Sequence, residues 1–184
     1  MDKRKILRSK SLKLLMLLLT SMLIATASAA VYNYMYIQAF DIGVEAAKVK
    51  FTSTGIQDFT AAGGSIGTNG TYVSFTSMAG WPNSTRIYQD AVGIQNIAAS
   101  NYTIELKFDQ AGDWSGDITQ VDYIYVKVFN TVGGTQQGSP ITVGTAGSST
   151  GSLTITGSTT WHVQWEIKWK ATAQSTHKVS VKLT

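Results

Sequence analysis

Alternation of apolar and polar residues constrains the fold of this chain more than any other feature. Over residues 161–170 every odd position is apolar and every even position is polar or charged. A strand separates these two sets onto opposite faces, whereas a helix would mix them around its circumference. No stretch of 12 residues beyond residue 30 repeats its apolar residues at the helical period of about 3.6. The sequence therefore predicts an all-β fold.

Glycines divide the chain into further runs with strand character. All 17 glycines follow the first 29 residues, and a spacing of roughly one in nine is typical of the turns in a sandwich or barrel. Val121–Phe129 is apolar on both faces, which indicates an interior strand. We predict a single β-sandwich of about eight or nine strands, jelly-roll or immunoglobulin-like. The other predicted strands lie in residues 47–52, 71–75, 102–108, 152–156 and 177–183.

The first 29 residues have the order of a secretory signal peptide. Six cationic residues precede an apolar run over residues 14–24, and small residues follow, with Ala27-Ser28-Ala29 as the A-x-A cleavage pattern. An uncleaved anchor is the alternative, because residues 14–30 just reach the length needed to cross a bilayer. The cationic end stays in the cytoplasm, so everything after Ala30 is predicted to be extracellular, with no membrane contact after cleavage.

Net charge argues against nucleic acid as a partner. The chain carries +4, but the first 29 residues carry +5, which leaves −1 for the rest. A nucleic-acid-binding domain needs a basic face, and the predicted domain has no excess of cationic residues. It also has no cysteine, so an exported domain would fold without disulfides. Because residues 59–85 and 128–165 contain no Asp, Glu, Lys or Arg, little charge repulsion opposes self-association.

Residues able to carry catalysis are scarce, and none stands in a catalytic motif. The two histidines, His162 and His177, belong to no zinc-protease motif, and the sequence has no nucleophile elbow, P-loop or dinucleotide fingerprint. We predict no catalytic residue, no cofactor, and an exposed, unpaired His162 on the polar face of its strand. Asp109, Asp113 and Asp117 lie among glycines and could turn carboxylate oxygens onto calcium. Acidic residues are also common in turns without a metal, which is the interpretation we favour.

Three sequons begin at Asn69, Asn83 and Asn101. Each becomes an acceptor for N-glycosylation if the chain is exported. Asn69 and Asn83 lie in segments rich in turn-forming residues and are the better candidates, whereas Asn101 lies next to a predicted strand.

Residues 31–40, directly behind the predicted cleavage site, are apolar on both faces of a strand. The two faces carry Val31, Met35 and Ile37, and Tyr32, Tyr34, Tyr36 and Phe40. A strand at a chain end can leave its own domain and fill the groove of a second copy that lacks a strand. Such head-to-tail contacts propagate into a filament unless they close into a ring. The alternative is that this segment is the first strand of its own sandwich.

The order of these parts resembles that of a known group of proteins. A signal peptide (1–29), an aromatic-rich N-terminal strand (30–45) and a cysteine-free β domain rich in glycine and threonine (46–184) are similar to the archaeal bundling pilins and to the bacterial biofilm fibre proteins of the TasA/camelysin group. The resemblance implies cell-surface filaments assembled by donor-strand complementation from copies of one chain. It also implies lateral bundling, support of adhesion and biofilm, and glycosylated subunits.

The tryptophans favour a second class of function, a monomeric binding module at the cell surface. Trp81, Trp114, or the face formed by Trp161, Trp165 and Trp169 could stack on carbohydrate rings or on a surface layer. However, three tryptophans on one strand face are more often part of a core.

Overall fold

The computed structural model describes residues 10, 12–18, 46–108, 114–181 and 183. The chain divides into two compact units, Met1–Val44 and Glu45–Thr184. In the first unit, residues 10 and 12–18 are helical, and the leucine side chains described there are exposed. Among the residues described, no helix has both the length and the apolar character that a membrane crossing requires.

The second unit consists of antiparallel strands, which confirms the all-β prediction. Its described residues form thirteen strands rather than eight or nine, because the predicted run 102–108 divides into two strands and several other strands lie outside the predicted runs. One 3-10 turn, Ile118–Gln120, directly precedes the strand Val121–Phe129. In chain order the strands are β1 (Val49–Thr52), β2 (Gly64–Ile66), β3 (Val73–Phe75), β4 (Thr85–Asn96), β5 (Tyr102–Ile104), β6 (Lys107–Phe108), β7 (Trp114–Gly116), β8 (Val121–Phe129), β9 (Gln136–Thr142), β10 (Ser148–Ser149), β11 (Leu153–Ile155), β12 (Thr160–Trp169) and β13 (Val179–Val181).

A five-stranded sheet in the order β1-β4-β12-β8-β9 forms the largest element. The strand with the clearest alternation, β12, lies in its middle, with Trp165 opposite Val126 of β8 and Tyr88 of β4. As predicted, β8 is an interior strand, because β12 and β9 flank it. Each strand in the sheet runs antiparallel to its neighbours.

The longest strand, β4, was not among the predicted strands. Its pairing with β12 shifts between Val163 and Trp165, so residues 89–91 of β4 stand opposite Gln164 alone and form a bulge. The bulge places Asp90 among buried residues and interrupts the alternation that would have marked the strand in the sequence. At Gly93 a Cβ atom would come within 2.7 Å of a methyl carbon of Thr52, so the strand needs a glycine there.

The hydrophobic core lies against one face of this sheet, which we call the core face. The core face buries Ile124, Val126 and Val128 of β8 together with Val163 and Ile167 of β12. Each such side chain, when fully buried, stabilises the fold by about 1.5–3 kcal/mol. The remaining strands form four separate two-stranded pairs, β2-β3, β5-β11, β6-β10 and β7-β13, whose apolar side chains belong to this core or pack against it.

The opposite side of the sheet, the outer face, is polar and aromatic. Glu166 of β12 accepts hydrogen bonds from the Tyr123 hydroxyl (3.1 Å) and from the Lys127 ammonium (2.6 Å). The rings of Tyr123 and Tyr125 stack with centroids 4.7 Å apart. On the same face, the hydrogen bond and the charge of Asp122 raise the pKa of Lys168 above its usual value. The even-numbered residues of β12 therefore form the polar side of the sheet, as their sequence predicts.

Candidate functional site

The predicted donor strand lies outside the described residues, and this holds for each residue assigned to it: Val31, Tyr32, Tyr34, Met35, Tyr36, Ile37 and Phe40. Only the surface that would receive the donor strand can therefore be described. An acceptor needs two things, a strand edge with free backbone groups and apolar side chains that are still partly exposed.

The β9 edge of the five-stranded sheet is closed to a further strand. Pro140 lies inside β9 and has no N–H to offer to a partner. On either side of it, the Ser139 N–H donates to the Thr150 carbonyl (3.1 Å) and the Thr142 N–H donates to the Ser148 hydroxyl (2.8 Å). The segment around β10 thus occupies the backbone donors that an incoming strand would use.

The β1 edge is closed by the turn between β2 and β3. The Phe51 N–H donates to the Gly70 carbonyl at 2.6 Å, in the middle of β1. Gly70 has φ +68°, and a Cβ atom there would come within 3.0 Å of the Lys50 side chain. A glycine is required at this close approach, so the turn lies directly along the strand.

The short strand pairs have the two properties of an acceptor. Within the described residues, β3 pairs with β2 alone and β13 pairs with β7 alone. Both strands carry half-buried apolar side chains that pack against the core without being covered. We call β3 and β13 the acceptor strands. Their half-buried side chains are Val73 and Phe75 on β3, and Val179 and Val181 on β13.

Neighbouring aromatic residues extend the half-buried surface at each acceptor strand. The Phe75 ring contacts Phe59 and Trp165 edge-to-face, with centroid distances of 6.3 Å and 6.2 Å. At β13, Trp114 is half-buried beside Gly144, where a Cβ atom would lie 3.0 Å from the indole. These contacts hold large rings in fixed positions, so each surface is rigid as well as apolar.

His162 is not the exposed, unpaired residue that its position on the polar face predicts. Its Nδ1 lies 2.7 Å from Oδ1 of Asp90, and its side chain is only 17% exposed. Asp90 itself is fully buried, and its second oxygen accepts the Gln57 N–H at 3.0 Å. The prediction was wrong because it considered one strand, while Asp90 enters from the bulge of the neighbouring strand.

A reciprocal pair of hydrogen bonds joins the loop before β2 to the same bulge. The Asp90 N–H donates to the Asp58 carboxylate (3.1 Å), and the Asp58 N–H donates to the Asp90 carbonyl (2.9 Å). With the Gln57 contact, three hydrogen bonds from one segment fix the loop on β4. The sequence contained one signal for this cluster, an acidic residue inside an otherwise strand-like run.

Of the three acidic residues considered for calcium, the structure describes only Asp117; Asp109 and Asp113 lie outside the described residues. One Asp117 oxygen accepts the Lys178 N–H at 2.9 Å, and the Asp117 N–H donates to the Lys178 carbonyl at 2.8 Å. Asp117 thus holds the start of β13, a role typical of a turn residue. Within the part of the chain that the structure describes, no three metal-binding side chains form a cluster.

The tryptophan face of β12 belongs to the core. Trp161 is 8% exposed, and Trp165 and Trp169 pack against buried residues. Trp114 is half-buried, as described above. Trp81 alone among the five is exposed, at 57%. Trp161 is therefore a core residue, and Trp165 and Trp169 pack against the core while partly exposed, which agrees with the interpretation of this face as core.

The three sequon asparagines, Asn69, Asn83 and Asn101, are all exposed. Asn69 lies in the turn between β2 and β3, and Asn83 lies in the turn before β4 with φ +54°. The Asn101 side-chain oxygen accepts the Gly157 N–H at 3.2 Å. Exposure satisfies the steric requirement for modification at all three positions.

No protein-family model and no curated protein sequence matches this chain. The likeness to bundling pilins and to the TasA/camelysin group therefore stays a prediction from the order of the parts.

Proposed function

We propose that this protein is an exported structural subunit of a cell-surface filament, in which residues 31–40 of one copy complete the β domain of the next. The observation that carries the proposal is the contrast between two kinds of strand that pack against the core. The five-stranded sheet is continuous and its edges are closed, whereas the short pairs carry apolar residues that are only half-buried. A strand that is apolar on both faces has the chemistry to cover the short pairs.

In this proposal the second unit is a β-sandwich that lacks one strand. The five-stranded sheet forms one layer, and the four short pairs form the other. The donor strand adds backbone hydrogen bonds to an acceptor strand and buries Val31, Met35 and Ile37 against the core. Each of these side chains contributes on the order of 1.5–3 kcal/mol when it is fully buried.

Export and assembly follow from the same segment order. Cleavage behind Ala29 would free the donor strand at the new N-terminus, so only an exported subunit could polymerise. The absence of cysteine fits a domain whose stability is supplemented by a neighbouring subunit rather than by disulfides. No enzymatic activity is included in the proposal. The filament would support adhesion or biofilm by lateral bundling, as the resemblance implies.

Deletion of residues 31–40 behind the intact signal segment tests the proposal in the source organism. We expect exported, folded monomers by gel filtration and circular dichroism, and no filaments by negative-stain microscopy of the cell surface. Adding a synthetic peptide of residues 31–40 should raise the Tm of these monomers. Filaments that persist after the deletion would overturn the donor-strand mechanism, and an unfolded deletion variant would place the strand in its own domain.

Two point variants keep the donor strand at full length and test whether its apolar side chains must be buried. Ile37→Asp places a charge at an apolar position of the face that enters the core, and Gln38→Asp places the same charge at the neighbouring polar position on the opposite face. We expect Ile37→Asp to abolish filaments and Gln38→Asp to retain them, because only the first charge would enter the core. Monomers at the cell surface with all variants would favour the alternative, a monomeric binding module.

A further inference from the structure

The exposed aromatic residues of the second unit have a distinctive distribution. Within residues 46–108 and 114–181, three aromatic side chains are exposed: Tyr72 at 64%, Trp81 at 57% and Tyr102 at 37%. The other aromatic rings described in these ranges are buried or half-buried. A large exposed ring loses the stabilisation that burial would provide, so a covering group is the simplest account of three such rings.

Each exposed ring lies beside a sequon. Tyr72 is three residues from Asn69, Trp81 is two residues from Asn83, and Tyr102 is adjacent to Asn101. In the described part of the β unit, no exposed aromatic side chain lies elsewhere. Exposed aromatic rings and sequons therefore occur together, a relation that the sequence alone does not show because it does not tell which rings are exposed.

The turn at Asn83 brings one such pair together. The Ser84 N–H donates to the Trp81 carbonyl at 3.2 Å, and Asn83 has φ +54° in the third position of this turn. Pro82 in the second position and a positive φ in the third are the features of a type II turn, a conformation that asparagine tolerates. The turn is anchored because the Asn83 N–H donates to the Trp169 carbonyl at 3.1 Å.

The Trp81 ring is held in place while much of it stays in solvent. The Arg86 guanidinium carbon lies 4.8 Å from the centroid of Trp81 and 4.8 Å from that of Tyr88. The Tyr88 hydroxyl oxygen accepts the Ala79 N–H at 2.9 Å, which ties down the segment before Trp81. A fixed indole presents a π-face of negative potential to the C–H groups of a sugar ring.

We propose that Asn83 carries an N-linked glycan whose first sugar packs on the indole of Trp81. In the transfer, Asn83 Nδ2 bonds to the anomeric carbon of a polyprenyl-phosphate-linked or polyprenyl-diphosphate-linked sugar. The bond from that carbon to the phosphate oxygen breaks, the polyprenyl phosphate or diphosphate leaves, and one amide proton passes to a base. Asn69 with Tyr72 and Asn101 with Tyr102 also combine a sequon with an exposed ring, but there the ring follows the asparagine. The inference depends on the export proposed above and is independent of polymerisation.

The test starts from protein isolated from the outside of the source cells. Peptide mass spectrometry should find a sugar mass on Asn83 in the wild type and in Thr85→Ser, which keeps the sequon, and none in Thr85→Val, which removes it without changing Asn83. An unmodified Asn83 on exported chains overturns the proposal, whether or not filaments are present. If Asn83 is modified on chains that never form filaments, the filament proposal is overturned and the glycan proposal stands.

A double-variant cycle tests the packing of the sugar on the ring. We expect Asn83→Gln to lower the Tm by about 2–4 °C in the wild-type background, a shift typical of losing one contact in a domain of this size. The same substitution should lower the Tm by clearly less in a Trp81→Ala background, because the platform is already gone and only the cost of glutamine at a positive φ remains. Equal Tm losses in the two backgrounds would overturn the packing of the glycan on Trp81.

Discussion

A carboxylate removed from water destabilises a fold unless both of its oxygens are bonded. Asp90 meets this condition, since one oxygen faces His162 and the other accepts the Gln57 N–H. The cluster joins a loop, a bulge and the central strand at one point. His162 therefore serves as a fixed partner of a buried acid, and its polar-face position reflects that pairing rather than solvent contact.

We expect Asp90→Ala to lower the free energy of unfolding by about 2–6 kcal/mol, because each of two partly buried donors that loses its partner destabilises by about 1–3 kcal/mol. Urea denaturation measures the change. Asp122→Ala is the matched control, since it removes the same group from a solvent-exposed pair with Lys168, and it should leave the midpoint nearly unchanged. Equal, small shifts for the two variants would show that the Asp90 cluster does not contribute to stability.

At the scale of elements, the strands with regular pairing were predicted from the sequence, and the longest strand, whose pairing is irregular, was missed. β12 was predicted from its strict period of two, and β8 from apolar residues on both of its faces, a pattern that fits a strand with neighbours on both sides. β4 was missed because its bulge breaks that period and buries an acid within the run. Residues 102–108 were predicted as one strand and form two, β5 and β6, since nothing local marks where a ladder of two or three residues ends. The short strands β2, β7 and β10 were not predicted. The acceptor strands β3 and β13 were predicted as strands, but their half-buried state was not, because partial burial depends on contacts distant in sequence.

A glycine pair tests how tightly the β9 edge is closed. Gly138 and Gly151 have nearly the same φ, +68° and +71°, but a Cβ atom at Gly138 would overlap the Thr150 carbonyl, whereas Gly151 has open space. We expect Gly151→Ala to destabilise by about 1–2 kcal/mol from the left-handed conformation alone. Gly138→Ala should add about 1–3 kcal/mol from overpacking. Thermal unfolding of both variants measures the difference, and equal Tm values would show that the edge yields easily.

For the whole molecule, the two sides of the core should differ in local stability. Amides in β4, β8 and β12 lie in a continuous sheet over buried side chains, while the acceptor strands have a single described partner each. Local opening needs less free energy where fewer contacts must break. We therefore expect hydrogen exchange in monomers to be slowest in the sheet and fastest in the short pairs.

Filament formation should change this pattern at one place. If a donor strand covers β3 or β13, amides of that strand should exchange at least about tenfold more slowly in filaments, the effect of about 1.4 kcal/mol of added stability. Mass spectrometry of deuterated filaments and of the residue 31–40 deletion variant provides the comparison. Filaments whose exchange is unchanged in both acceptor strands would contradict strand addition at these sites.

The closed edges of the five-stranded sheet bear on the kind of material such subunits would make. A building block that accepts strands at several edges has a high valence, and blocks of high valence form branched networks and gels. Pro140 at the β9 edge and the Gly70 turn at the β1 edge close two such edges of the largest sheet. If only one of β3 and β13 accepts a donor strand, each subunit has one donor and one acceptor and would make unbranched threads, whose length depends on the number of free ends.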